Sequence, residues 1–155
     1  MKTFIKYWLL VWCSILAVTI VFFSFFQLNK VSGPSMSLTI KDGDFILGCE
    51  IFNSIERFDI VTIHLPDGKI IVKRIIGLPG ETVHIYNGNV YIDGNLLDDV
   101  VSNITFDEGT ASVPLALGNN EFFVLGDNRI NSFDSRAPEC GVILLDWITA
   151  KIIGK

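Results

Sequence analysis

Hydrophobic positions fall along this chain in two unlike patterns. From Tyr7 to Phe26 there are 20 consecutive residues without a charge. Beyond Lys30 the apolar residues come instead in short runs cut by Gly, Pro, Asn and Asp. Wound as a helix, the first stretch reaches roughly 30 Å, the thickness of a bilayer core. It is longer than the apolar part of a cleavable leader, and Gln27-Leu28-Asn29-Lys30 lacks the small residues of a cleavage site. The expectation is therefore an uncleaved anchor over 7–26. Lys2 and Lys6 precede the run and Lys30 follows it, so the positive-inside tendency sets residues 1–6 in the cytoplasm and 31–155 outside, as a single-pass protein of the cell membrane.

The second pattern predicts short strands. Lys41-Asp-Gly-Asp44 leads into Phe45–Leu47, and Arg57-Phe-Asp59 leads into Ile60–Leu65, which stops at Pro66-Asp-Gly68. Lys69–Ile76 follows and is closed by Gly77-Leu-Pro-Gly80. Glu81–Tyr86 and Val90–Ile92 read as a hairpin, because Asn87-Gly88 supplies the positive backbone angles of a tight turn. Asp93-Gly94 marks a second turn, and Glu121–Leu125 a further strand. No helical period persists beyond the first run, and residues 95–119 carry the least pattern, as a loop or a variable insertion does. The fold class expected is mostly β, short antiparallel strands behind one N-terminal transmembrane helix.

Charge narrows the partners. Residues 31–155 hold nine Lys/Arg against 17 Asp/Glu, a net charge of −8. Nucleic acid demands a basic face and is not an expected partner. Broad adhesion to anionic lipid is disfavoured for the same reason. Of the three cysteines, Cys13 sits in the anchor as an apolar residue, while Cys49 and Cys140 lie where a disulfide is chemically permitted. Their spacing fits no metal site, and His64 and His84 read as ordinary strand positions, so no metal or cofactor is expected.

Three segments carry candidate chemistry. Ser35 follows Gly33-Pro34, a turn that projects it, and Met36 sets an apolar side chain beside it. Such a serine is a common turn residue until a base is found for it. Lys73 offers one. It lies in Ile70-Ile-Val-Lys-Arg-Ile-Ile76, where strand alternation puts Lys73 and Arg74 on opposite faces and turns one of them toward the buried side. An ordinary lysine is neutral in only about one molecule in 2,500 at pH 7. Lowering its pKa by three units costs about 4 kcal/mol, which desolvation of the ammonium can supply. The third segment, Gly126–Arg136, packs two Asp, two Ser and two Arg into 11 residues. It suits either a capped surface turn or a network that holds a neutral amine in place.

Ser-Gly-Pro-Ser35-Met36, Asp42-Gly-Asp44, Lys73-Arg74-Ile-Ile-Gly-Leu-Pro-Gly-Glu81 and Gly126-Asp-Asn-Arg-Ile-Asn-Ser-Phe-Asp-Ser-Arg136, in this order behind one anchor, resemble the successive motif boxes of bacterial type I signal peptidases. The resemblance covers the chain except residues 82–120. It implies a Ser-Lys serine protease in which Ser35 is the nucleophile and Lys73 the general base. Ser132 would hydrogen-bond the lysine amine, and Asp134 with Arg136 would form a supporting ion pair beside Asp127 and Arg74. The Ser35 backbone N–H would donate to the oxyanion, and Met36 and Val72 would line the pocket for small substrate side chains. Two positions depart from the family pattern. Leu38 stands where proline is usual, and Gly33 occupies the place of a second oxyanion-donating serine, with Ser32 one step out of register.

The resemblance further implies exported preproteins as substrates, cut after small residues of the Ala-x-Ala kind, with membrane lipid and a nearby secretion translocon as surroundings. Two other readings stand beside it: a specialised Ser-Lys processing peptidase for pilin or conjugation proteins, and a non-catalytic membrane-tethered β module. A DNA-binding self-cleaving repressor is disfavoured by the anchor. Asn103-Ile-Thr105 fits a glycosylation acceptor, a three-residue match that a bacterial resemblance discounts.

Overall fold

The structure, a computed structural model, describes residues 2–50, 52–101 and 107–154; Asn103-Ile-Thr105 lies outside them. Helix α1 spans Lys2–Phe25, so it takes in both N-terminal lysines and stops one residue short of the expected anchor. Its stretch Phe4–Phe25 is long and apolar enough to cross a membrane. Side chains 4–25 are exposed throughout, and a helix apolar on every face suits lipid rather than water. The few polar groups along it are hidden: Ser14, Thr19 and Ser24 each donate to a backbone carbonyl one turn back.

Phe26 has already left the helix. Strands β1 (Phe26–Lys30), β2 (Phe45–Cys49), β3 (Ile60–His64), β4 (Ile70–Gly77), β9 (Glu121–Leu125), β10 (Ile143–Leu144) and β11 (Ile148–Gly154) build a seven-stranded sheet in the order β1-β2-β11-β3-β4-β9-β10. Strands β5 (Thr82–Tyr86), β6 (Asn89–Ile92), β7 (Asn95–Leu96) and β8 (Leu115–Ala116) build a second sheet of four, ordered β7-β6-β5-β8. Every recorded pairing is antiparallel. The β5–β6 hairpin turns on Asn87 and Gly88 with φ of 48° and 75°, the double positive angle of a type I′ turn.

The expected strands are present, and five more join them, β1, β7, β8, β10 and β11. β1 continues from the anchor along the sheet edge, and β11 inserts between β2 and β3. Residues 95–119 hold two short strands and a 3₁₀ turn at Gly109–Ala111.

Both faces of β4 are covered, which decides the fate of its charges. Ile75 packs with Val61, Ile63, Val124 and Ile143 on one face. Ile76 packs with Val83 and Ile85 of the second sheet, and with Phe123 and Leu125 of β9, on the other. A third cluster of Val31, Met36, Ile40 and Ile46 lies under the turn that carries Ser35. Each fully buried side chain of this size contributes about 1.5–3 kcal/mol. Lys73 and Arg74 are consequently both buried, at 2% and 9% exposure. Alternation does separate them, but neither face is open.

Candidate active site

Ser35 stands in a tight turn between β1 and β2. Ser37 N–H donates to the Pro34 carbonyl at 3.0 Å, and the amides of Thr39 and Ile40 donate to the Met36 carbonyl at 2.8 and 2.7 Å. Leu38 sits in this turn with its side chain outward, 59% exposed. The turn's base is tied to the chain before β2 by Val31 N–H to the Asp44 carbonyl, 2.8 Å, and Gly33 N–H to Asp42 Oδ1, 2.9 Å. Its tip is held from the far side by Asn128, whose backbone N–H reaches the Ser35 carbonyl at 2.9 Å. The Asn128 side-chain amide reaches the Pro34 carbonyl and Ser37 Oγ, each at 3.2 Å. Sequence reasoning left Asn128 without a role; a short amide in a polar loop gives no signal until the loop is seen against the turn.

Lys73 enters from β4. Its Nζ lies 2.8 Å from Ser35 Oγ and 2.9 Å from the carbonyl of its own neighbour, Val72. With a charged ammonium the nitrogen donates to the hydroxyl; with a neutral amine the bond reverses, and the serine proton points at the nitrogen lone pair. Burial pushes the Lys73 pKa down to about 8, against the pull of the carboxylates of Asp134 and Asp127. Cys140 lies close by in the core. Burial pushes its thiol up to about 11, so near neutral pH it is uncharged. It carries no disulfide to Cys49.

Two buried carboxylates brace the loop after β9. Asp127 receives a fork from Arg74, Nε at 2.8 Å and a terminal nitrogen at 2.6 Å, and also accepts from the Thr39 hydroxyl. Asp134 receives the same kind of fork from Arg136, at 2.8 and 2.9 Å, and accepts the Gly126 N–H at 2.9 Å. Paired guanidinium–carboxylate geometry is both strong and directional. A third pair, Arg129 with Asp99 at 2.6 Å, ties the loop to the segment after β7. Neither of its members was singled out from sequence. Gly126 is the point of closest approach: a Cβ there would run into Ser132 and into the Ser35 carbonyl.

Ser132 departs from expectation. Its Oγ is buried beside Gly126 and has no hydrogen-bond partner among the described residues. The lysine nitrogen it was expected to bond is instead directed to Ser35 and the Val72 carbonyl. Met36 and Val72 do line the groove in front of the serine, together with Val31, Ile46, Ile71 and Phe133. The groove holds about 480 Å³. On its β4 side the strand edge is open, because β9 pairs with β4 only from Arg74 onward. Of the histidines, His64 is exposed and His84 stacks near Tyr86 and Tyr91. Among the described residues no cluster of three His, Cys, Asp or Glu suited to a metal ion occurs.

Comparison with known proteins now bears on this geometry. The family model described as signal peptidase, peptidase S26, matches residues 3–154. Signal peptidase I V of Bacillus subtilis is 38% identical over 126 residues, covering 69% of this chain and 73% of that protein. Signal peptidase I of Bacillus caldolyticus is 30% identical over 139 residues, covering 79% and 74%. A crystal structure of a signal peptidase I from Enterococcus faecalis superposes with a TM-score of 0.56 at 28% identity, over 66% of this chain and all of that one. The chain therefore belongs to the signal peptidase family of serine peptidases, peptidase S26.

Proposed function

We propose that this chain is a membrane-anchored signal peptidase that removes N-terminal signal peptides from exported preproteins through a Ser35–Lys73 dyad. The observation that carries the reading is the 2.8 Å approach of a buried lysine, its pKa lowered to about 8, to a serine hydroxyl at the wall of an open groove.

A serine hydroxyl attacks a peptide carbonyl only as its proton departs, and an amine titrating near 8 is well matched to take it. The substrate chain lies extended in the groove, its backbone beside the open edge of Ile70–Val72. Ser35 Oγ forms a bond to the scissile carbonyl carbon as its proton passes to Lys73 Nζ. The oxyanion is met by the Ser35 N–H. Collapse breaks the C–N bond, and Lys73 returns the proton to the leaving amine. An acyl-enzyme remains, and Lys73 then draws a proton from water as that water attacks the ester; the ester C–O bond breaks, the proton returns from Lys73 to Ser35 Oγ, and the carboxylate product leaves. Ser132 Oγ, buried beside Gly126 without a partner among the described residues, is the hydroxyl that would accept from Nζ when the lysine swings off Ser35. Met36 and Val72 keep the groove narrow and apolar, which favours small side chains ahead of the cut, as in Ala-x-Ala.

Helix α1 anchors the domain, with residues 2–6 on the cytoplasmic side and the sheets on the outer face, among lipid and close to the translocon that delivers substrates. Neither a pilin-type processing task nor a non-catalytic role has an observation of its own to favour it.

The test is direct. Ser35→Ala and Lys73→Ala should each abolish processing of a preprotein by the detergent-solubilised protein while circular dichroism stays unchanged. A serine-directed acylating probe should label the parent chain and not Ser35→Ala. Full processing by either variant would sink the assignment.

A further inference from the structure

None of the motif boxes named above falls within residues 82–120, yet that stretch grips the loop Gly126–Arg136 at both ends. At the far end the Thr110 N–H donates to the Arg136 carbonyl at 2.9 Å, and the Thr110 hydroxyl to the Ser135 carbonyl at 2.7 Å. At the near end Asp99, just after β7, accepts from a terminal nitrogen of Arg129 at 2.6 Å. The Arg129 side chain is 1% exposed and that of Asp99 13%. The other Asp99 oxygen accepts the Val101 N–H at 3.1 Å, so the carboxylate is aimed as well as paired.

Arg129 makes a second bond. Its Nε donates to the Gly126 carbonyl at 3.0 Å and closes the turn that Gly126 opens. The Gly126 N–H goes to Asp134, so this glycine is held on both sides, with Ser132 and the Ser35 carbonyl crowded against it. Within the same turn the Asn128 N–H reaches the Ser35 carbonyl at 2.9 Å. Contacts that begin at Asp99 therefore end at the Ser35 turn. They also touch Asp134, the carboxylate that pulls hardest against the lowered pKa of Lys73. Stability alone does not account for the Asp99–Arg129 pair, because burying two opposite charges costs about as much as their attraction returns. What a guanidinium supplies is geometry: one rigid fork bridges two acceptors, which a single ammonium does not do.

We propose that Asp99 is a positioning residue for the cleavage reaction: through Arg129 it sets the turn Gly126–Arg129 against Ser35, and so fixes how Ser35 meets Lys73. It touches neither the substrate nor the reacting atoms. This inference rests on the cleavage activity proposed above.

The experiment measures kcat, KM and the pH profile of the solubilised full chain on one preprotein, for the parent, Asp99→Asn, Asp99→Glu and Arg129→Lys. Rates are scaled to the folded fraction read from thermal melts. Asp99→Asn keeps the shape and drops the charge. Its kcat should fall about 10- to 100-fold, the range for a small misplacement of reacting groups, while KM, which reports the untouched groove, stays within about twofold. Asp99→Glu keeps a carboxylate and should recover most of the loss. Arg129→Lys should fall like Asp99→Asn, and combining the two should cost no more than the worse of them. The midpoint of the pH profile, near 8 in the parent, should move up in Asp99→Asn, because a loosened wall admits water to Lys73 and relieves its desolvation. The titratable groups that act on Lys73, namely Asp134, Asp127 and Cys140, are all retained in that variant. An unchanged kcat in folded Asp99→Asn overturns the inference, and so does a midpoint that stays near 8 whatever the loss of rate. If Asp99→Asn does not fold, Arg129→Lys carries the same two readouts. Absence of any cleavage by the parent, with no acylation of Ser35, would instead refute the peptidase reading itself.

Discussion

At the scale of single residues the site holds a buried amine, and its cost is measurable. Desolvation lowers the Lys73 pKa from 10.5 to about 8. In the unfolded chain the lysine titrates near its ordinary value. Below pH 8 both states hold the proton, and folding carries the full penalty of burying it, about 3 kcal/mol. The penalty fades as pH climbs from 8 toward 10.5 and the folded state sheds the proton first. Lys73→Met, which keeps the stem and drops the charge, should therefore raise stability by about 1–3 kcal/mol at pH 7 while abolishing cleavage. Urea denaturation at pH 7 and pH 10 checks this, with the gain shrinking at the higher pH. For the parent chain, log kcat/KM should rise with pH and level off above an apparent pKa near 8. A flat profile from pH 6 to 10 would mean that Lys73 is not the base.

Among elements, the strands bounded by clear turn chemistry were legible in the sequence. Asn87-Gly88 and Asp93-Gly94 each take positive φ; the hairpin across the first pairs as expected, and the second leads into a short strand, β7, where a loop was expected. The members missed are those whose signal is not local. β1 begins one residue after the helix, inside a run that hydropathy assigns to the membrane, so no turn announces it. β11 shows fair alternation, with Ile148 and Ala150 buried and Thr149 and Lys151 less so, but only tertiary pairing gives it a place. At the site, Ser35 and Lys73 were legible as residue types in telling company. Asn128 and the Arg129–Asp99 pair were not, because their partners lie about 30 to 94 positions away. The domain boundary follows from β1. A fragment covering 26–155 keeps the five registered β1–β2 pairs, whereas one covering 31–155 loses them and bares the edge of β2. The shorter fragment should be less stable by about 1–3 kcal/mol, taking cross-strand pairs at their usual worth. Equal melting curves for the two fragments would show that β1 belongs functionally to the anchor.

For the whole molecule, charge and hydrophobicity are segregated. The anchor is neutral and apolar, while residues 31–155 carry a net charge of −8. The proposed attachment would then depend on α1 and on apolar contact rather than on attraction to anionic headgroups. In vesicles, the rate of preprotein processing should not increase as phosphatidylglycerol replaces phosphatidylcholine. The isolated 26–155 fragment should bind anionic vesicles no better than neutral ones in a sedimentation assay. A steep rise with anionic lipid would point to a basic surface that net charge conceals.

The place of β11 has a further consequence, for timing. Ser35 stands in the turn between β1 and β2, and Lys73 on β4. In the large sheet these two groups of strands meet only through β11, the latest strand in chain order. A ribosome makes the Ser35 turn early and Lys73 soon after, yet the sheet that sets them side by side cannot close until residues 148–154 have been synthesised. Pairings this distant along the chain also form slowly. Until then the nascent chain holds Ser35 apart from Lys73. Synthesis of β11 is the event that brings Ser35 and Lys73 into register.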